Sequence, residues 1–139
     1  MRQAMQKDAS EWNLKRGEGG TVDVEFAIQM LQLKYANDDD SVLVPGTLDA
    51  IERLMACGYL ESETGTRLHE SYQLLRSVES RLRLMNTTAR HDLPEQENRL
   101  AKLAFLLNYA DAEELTKTVE TTRQGIRQIF KRLLETEIG

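Results

Sequence analysis

Residues 62–86, SETGTRLHESYQLLRSVESRLRLMN, decide the fold class. Leu68, Leu75 and Leu82 stand seven apart, and Tyr72, Val78 and Met85 fill the same stripe. This spacing predicts one long helix with a single apolar face, the kind buried in an antiparallel bundle or a short coiled-coil seam. A second stripe of comparable length runs through Leu115, Val119, Ile126, Phe130 and Leu133. Its helix is expected to start at the Asp111–Glu114 capping signal and to run to about Glu135. Each stripe is long enough to cover the other, so the two helices are expected to pack antiparallel. The fold class is all-α: an antiparallel helical bundle of about five helices, preceded by a short extended stretch.

Shorter elements follow from the same reading. Val24, Ile28, Leu31 and Tyr35 predict a helix over 22–37, with Phe26, Met30 and Leu33 widening its apolar face. The run Asn37-Asp38-Asp39-Asp40 ends it as a solvated loop. Thr47 is expected to cap a helix through Leu48, Ile51, Leu54 and Met55 that stops at Gly58. Asp92 is expected to cap a helix from Pro94 or Glu95 to Tyr109, with Leu100, Leu103, Ala104 and Leu107 inside. Gly125 within the last helix suggests a close helix crossing. Residues 12–16, WNLKR, alternate as a strand does. One short strand cannot stand alone, so its partners are expected in a larger protein, and residues 12–20 should be poorly anchored here.

Composition narrows the function. The 139 residues are 40% hydrophobic and 29% charged, as in a globular chain, and the net charge of −5 argues against a nucleic-acid-binding module. The single cysteine, Cys57, excludes an intrachain disulfide and a multi-cysteine zinc site; it reads as a small buried apolar residue. No apolar run nears the roughly 18 residues of a membrane span. No apolar h-region follows Met1, so the expected compartment is the cytoplasm. His69, at a helix edge, and His91, in a loop, have no second ligand at metal spacing. Asn86-Thr87-Thr88 is a chance glycosylation match. Arg76, Arg81 and Arg83 with Glu79 read as a salt-bridged helix face.

The informative segment for function is 12–36, WNLKRGEGGTVDVEFAIQMLQLKYA. An extended stretch delivers Lys15 and Arg16 to the glycine turn of residues 17–20. The turn leads into a helix N-terminus whose N–H groups are expected to point outward, favouring a phosphate or carboxylate. Asp23 and Glu25 lie just beyond. At i, i+2 they share a face only if the backbone is extended; on a helix they sit about 200° apart and cannot hold one ion. The bland role for a first-turn carboxylate is to offset the helix macrodipole.

The segment K-R-x-x-G-G-x-V-D-V-E-F-x-x-Q-x-L-Q-L resembles the stretch after the nucleotidyltransferase domain in glutamine synthetase adenylyltransferases, whose pattern is K-x-x-x-G-G-x-x-[DE]-I-E-F-x-x-Q. Lys15, Gly19, Gly20, Asp23, Glu25, Phe26 and Gln29 match it, and Val24 replaces the isoleucine. Residues 77–85 (SVESRLRLM), His91 to Pro94, Leu103 to Tyr109 and the closing RQGIRQIFKRLL are similar to later stretches of the same family.

The resemblance implies a fragment. Residues 1–20 would be the C-terminal edge of a nucleotidyltransferase domain with its glycine turn, and residues 21–139 the helical bundle domain behind it. The full enzyme would use magnesium and ATP to attach AMP to a tyrosine of glutamine synthetase, and remove it, in regulating nitrogen assimilation. Its partners would be glutamine synthetase and a PII signal protein. The wording of the glycine motif is similar to the C-terminal, adenylylating half. Asp23 would be a third acidic residue towards the metal, with Glu25 a weaker candidate, and Lys15, Arg16, Gly19 and Gly20 would lie near the nucleotide phosphates. The paired-aspartate motif of the catalytic domain is absent from these 139 residues, so the chain alone is expected to be inactive and to hold no cofactor. Two other readings stand beside this one: a stand-alone helical protein-interaction module, and the helical domain of a related uridylyltransferase.

Overall fold

The structure, a computed structural model, describes residues 13–15, 17–85 and 92–138. Trp12, Arg16, His91 and the Asn86-Thr87-Thr88 triplet lie outside the described residues. Among the described residues five α-helices follow one another: α1 (Thr21–Tyr35), α2 (Thr47–Ala56), α3 (Ser62–Met85), α4 (Glu97–Leu106) and α5 (Ala112–Leu133), the last continuing as a π-turn over Leu134–Ile138. The all-α bundle expected from the periodicity is what forms.

α3 and α5 run antiparallel. Near the start of α3, Thr64 accepts a hydrogen bond from Arg132 near the end of α5 (2.9 Å), and Arg67 lies opposite Gly125. Leu68, Leu75, Val78 and Leu82 of α3 are buried with Leu115, Val119, Ile126, Ile129 and Phe130 of α5. α1 packs on α2, α3 and α5, presenting Val24, Ala27, Ile28 and Leu31 to the core. α4 lies beside α3 and α5 and contributes Leu103 and Ala104.

Several helix ends have a clear local cause. α2 closes with Gly58 at φ +81°; Gly58 N–H donates to Met55 O (3.1 Å) and Tyr59 N–H to Leu54 O (2.9 Å), the paired bonds of a Schellman stop. α4 stops the same way on Asn108, φ +65°, with Asn108 N–H to Phe105 O (3.1 Å) and Tyr109 N–H to Ala104 O (2.8 Å). This is why α4 ends before the expected Tyr109. Asp111 caps α5 by accepting from Glu114 N–H (2.8 Å), while the Glu114 carboxylate accepts from Ala110 N–H (3.0 Å).

Other expectations are corrected. Thr47 is the first residue of α2 and Gly46 its N-cap. Asp92 does not cap α4; its backbone bridges to Asn13, and Gln96 is the N-cap. Leu33 faces outward, 67% exposed, and Phe26 is only half-covered at 46%, its ring edge-on to Phe130 of α5 with centroids 6.0 Å apart. Glu79 is buried: at 1% exposure it sits in the core stripe, four residues after Leu75 and three before Leu82. Cys57 is half-buried rather than buried. Gly125 marks no close crossing, since a methyl there would make only ordinary contact with Arg67; the tight glycine is Gly65, pressed against Met55 of α2. In the acidic run, Asp39 accepts from Ser41 N–H (3.0 Å), and the Ser41 hydroxyl and amide hold its carboxyl below the usual range.

The chain's end is tied to α1. Glu137 accepts from the Tyr35 hydroxyl (2.6 Å) and pairs with Lys34 (2.9 Å), and the Tyr35 ring stacks on Tyr59 at 4.2 Å. These contacts, the Tyr35 bond first, hold the Glu137 carboxyl below its ordinary range.

Two measurements follow. Leu75 is fully buried, so Leu75→Ala should cost about 2–5 kcal/mol in denaturant unfolding, and a loss under about 0.5 kcal/mol would place it at the surface. A depressed carboxylate contributes stability above its unfolded value and loses it as pH falls through the folded one. The stability gap between the parent chain and Glu137→Gln should therefore be open at about pH 7 and narrow as pH falls below the ordinary carboxylate range.

Candidate functional site

The glycine cluster is built into the start of α1. Gly17 N–H donates to Asn13 O (3.1 Å) and Gly20 N–H to Gly17 O (2.9 Å), two backbone bonds that lead into the helix. Thr21 N–H then donates to Leu14 O (2.9 Å) and Val22 N–H to Lys15 O (3.0 Å). Helix amides that have no intrahelical partner are thus satisfied by the preceding loop. Gly19 N–H, one residue before the N-cap, donates to Asp23 Oδ2 (2.8 Å), so the first-turn carboxylate reaches back as in a capping box.

Two expectations change here. The amides of Gly20, Thr21 and Val22 do not point outward to an anion; loop carbonyls occupy them. The strand expected over 12–16 reduces, among the described residues, to the single bridge at Asn13, because the carbonyls of Leu14 and Lys15 serve the helix. Nor is the loop poorly anchored. Leu14 is fully buried in the core, and Gly17, Gly19 and Gly20 are buried too.

The glycines are required by close approach. Gly19 has φ +73°, and a Cβ there would collide with the backbone carbonyl of Arg123 on α5. A Cβ at Gly17 would run into the Arg123 guanidinium, and one at Gly20 would stand 2.5 Å from Leu14 O. Glu18 completes the junction. Its carbonyl accepts from Arg123 Nε (3.1 Å) and its carboxylate pairs with Arg127 (2.9 Å). Neither arginine was singled out from the sequence. Arg123 lies four residues after Val119 and three before Ile126, so its place beside the buried stripe was the available signal.

The candidate residues are therefore divided. Asp23, 5% exposed, lies at the loop with Gly19, Gly20 and Lys15, whose N–H donates to Asn13 Oδ1 (3.1 Å). Glu25 lies on another face of α1, where it accepts from the Tyr72 hydroxyl of α3 (2.7 Å). Burial first, and this bond second, push the Tyr72 hydroxyl above its ordinary pKa. Both carboxylates are helical, so the geometry that would let them share an ion does not arise. Among the described residues no three side chains of metal-ligating type come together. Asp23 and Glu25 are held apart, and no third ligand joins either of them among the described residues. His69 Nε2 stands 3.3 Å from Glu52 at the edge of α3, away from the loop. Among the described residues, no helix is long and apolar enough to cross a membrane.

This bundle and its capped glycine loop have relatives. A family model described as GlnD PII-uridylyltransferase matches residues 1–134, and the chain belongs to that family. Among curated proteins it is similar to bifunctional glutamine synthetase adenylyltransferase/adenylyl-removing enzymes, as the glycine motif implied. The one from Corynebacterium diphtheriae is 34% identical over 128 residues, covering 86% of this chain and 12% of the relative. That from Xanthomonas campestris pv. campestris is 33% identical over 122 residues, 88% of this chain and 13% of the relative. That from Streptomyces coelicolor is 44% identical over 90 residues, 65% of this chain and 9% of the relative. The chain thus spans a small part of the length of the relatives it matches.

The Asp23 bond can be tested by stability alone. Asp23→Ala leaves the Gly19 amide without its acceptor and should cost about 1–3 kcal/mol, whereas Asp23→Asn keeps an accepting oxygen and should cost less than about 1 kcal/mol. Equal losses in denaturant melts would show that the bond does not hold the loop.

Proposed function

We propose that this chain is the helical unit of a nucleotidyltransferase that adenylylates and deadenylylates glutamine synthetase, working as part of a longer polypeptide in the cytoplasm. The observation that carries this reading is the likeness to adenylyltransferase/adenylyl-removing enzymes over 86% of the chain. The reaction is in-line displacement on ATP. A tyrosine oxygen of glutamine synthetase bonds to the α-phosphorus, the bond to the β-phosphate oxygen breaks, pyrophosphate leaves, and the tyrosine proton passes to a base. Magnesium and ATP belong to the part of the enzyme outside this chain.

What this chain supplies is position. The bundle covers the catalytic domain, and the loop presents Asp23 towards the reacting phosphates, with Lys15, Arg16, Gly19 and Gly20 nearby and Glu25 the weaker candidate. Residues 1–20 continue the catalytic domain, and residues 21–139 form the helical domain behind it. The glycine motif assigns the unit to the C-terminal, adenylylating half. A PII signal protein is proposed as a regulatory partner.

The description of the matching family model favours a second reading, in which the acceptor is a PII protein and the donor UTP. The two separate in one experiment. The full-length polypeptide is incubated with labelled ATP or UTP and with glutamine synthetase or PII protein. AMP on glutamine synthetase is the expected result; UMP on PII would select the second reading. The 139-residue chain alone should label neither, and stoichiometric labelling by it would sink the fragment reading. In the full-length protein, Asp23→Asn should lower AMP transfer by roughly 100-fold or more while leaving the unfolding midpoint nearly unchanged. Small, equal effects on both would leave Asp23 as a helix-end residue only.

A further inference from the structure

We propose that Arg123 is a positioning residue for Asp23, acting through a single peptide plane, an assignment that rests on the reading of Asp23 given above. The Glu18–Gly19 peptide is gripped at both ends. Its carbonyl, Glu18 O, accepts from Arg123 Nε at 3.1 Å. Its N–H, that of Gly19, donates to Asp23 Oδ2 at 2.8 Å. A trans peptide is rigid and planar, with its C=O and N–H pointing opposite ways. Rotating the plane enough to release one bond misdirects the other, so the guanidinium on α5 sets the direction from which Asp23 is held.

The rest of the junction leaves this role to Arg123. The carbonyls of Asn13, Leu14, Lys15 and Gly17 accept from backbone amides of the loop or of α1. The Glu18 carbonyl is served by a side chain from the last helix, 105 residues away in sequence. Gly17 and Gly19 both lie directly against Arg123, so the loop approaches α5 as bare backbone at that residue. Arg127, one turn further on, ties down the Glu18 side chain at 2.9 Å. Arginine suits the task because Nε donates in a fixed plane while the rest of the guanidinium packs over Gly17; a lysine keeps the charge and a donor but not the fork.

The test uses the full-length polypeptide with Arg123→Met, which keeps an apolar stem and removes the donor, Arg123→Lys, and each combined with Asp23→Asn. Hydrogen exchange is followed in residues 13–22 and, as a control, in 68–82 of α3. In Arg123→Met, exchange in the loop segment should rise about 10-fold or more while the α3 segment is unchanged. The kcat for AMP transfer should fall about 10-fold or more with KM for glutamine synthetase unchanged, and Arg123→Lys should recover part of it. Because Arg123 acts through Asp23, the double variant should be no slower than Asp23→Asn alone.

Unchanged loop exchange overturns the assignment. So does a double variant whose losses multiply. A rise in exchange throughout α3 also overturns it, because Arg123 would then be holding the whole fold. If the parent protein transfers no AMP, the reaction reading falls by itself, and loop exchange in Arg123→Met still decides whether Arg123 governs the peptide plane.

Discussion

Leu68, Leu75, Val78 and Leu82 are sealed from water along one side of a 24-residue helix, and the bundle is arranged around that burial. Each such side chain contributes about 1.5–3 kcal/mol when fully removed from water. α5 supplies the matching face over nearly its whole length. With α3 and α5 antiparallel, a trough remains on one side, and α1 fills it with Val24, Ala27, Ile28 and Leu31. α2 and α4 close the flanks. Both connect through stops of the same design, one on Gly58 and one on Asn108, so the chain reverses direction over very few residues.

The start of α1 depends on the same packing. A helix entering a core brings amides that need acceptors, and water cannot serve them there. The loop carrying Lys15 and the three buried glycines provides those acceptors, and Leu14 seals it into the core. For the loop to reach the helix end, its backbone must pass against α5 with no side chain between, which explains the density of glycine better than an anion cradle does. The segment with the most specific family likeness is thus also the one where the first and last helices meet.

That meeting shapes the functional picture. Asp23 is buried and directed by the loop, while Glu25 is turned to Tyr72 on α3. Of the two candidate carboxylates only Asp23 lies at the junction, where the Glu18 carboxylate is paired with Arg127. The chain itself spans only a small part of the length of the relatives it matches.

The sequence by itself determined the helices and several of their ends. Heptad spacing in α3, the stripe in α5, the Asp111 cap and the Gly58 stop are all local, because periodicity and capping act within a few residues. The motif of residues 15–29 was legible as a family mark before any geometry was known. Tertiary structure alone decided which side of α1 was covered, leaving Leu33 outside and Phe26 half-covered against Phe130, and it buried Glu79 in the apolar stripe of α3. It also decided that the amides at the start of α1 were already occupied, and that Glu18 would meet Arg123 and Arg127. Those outcomes turn on partners up to 109 residues apart, and a local pattern carries no record of which distant group will arrive.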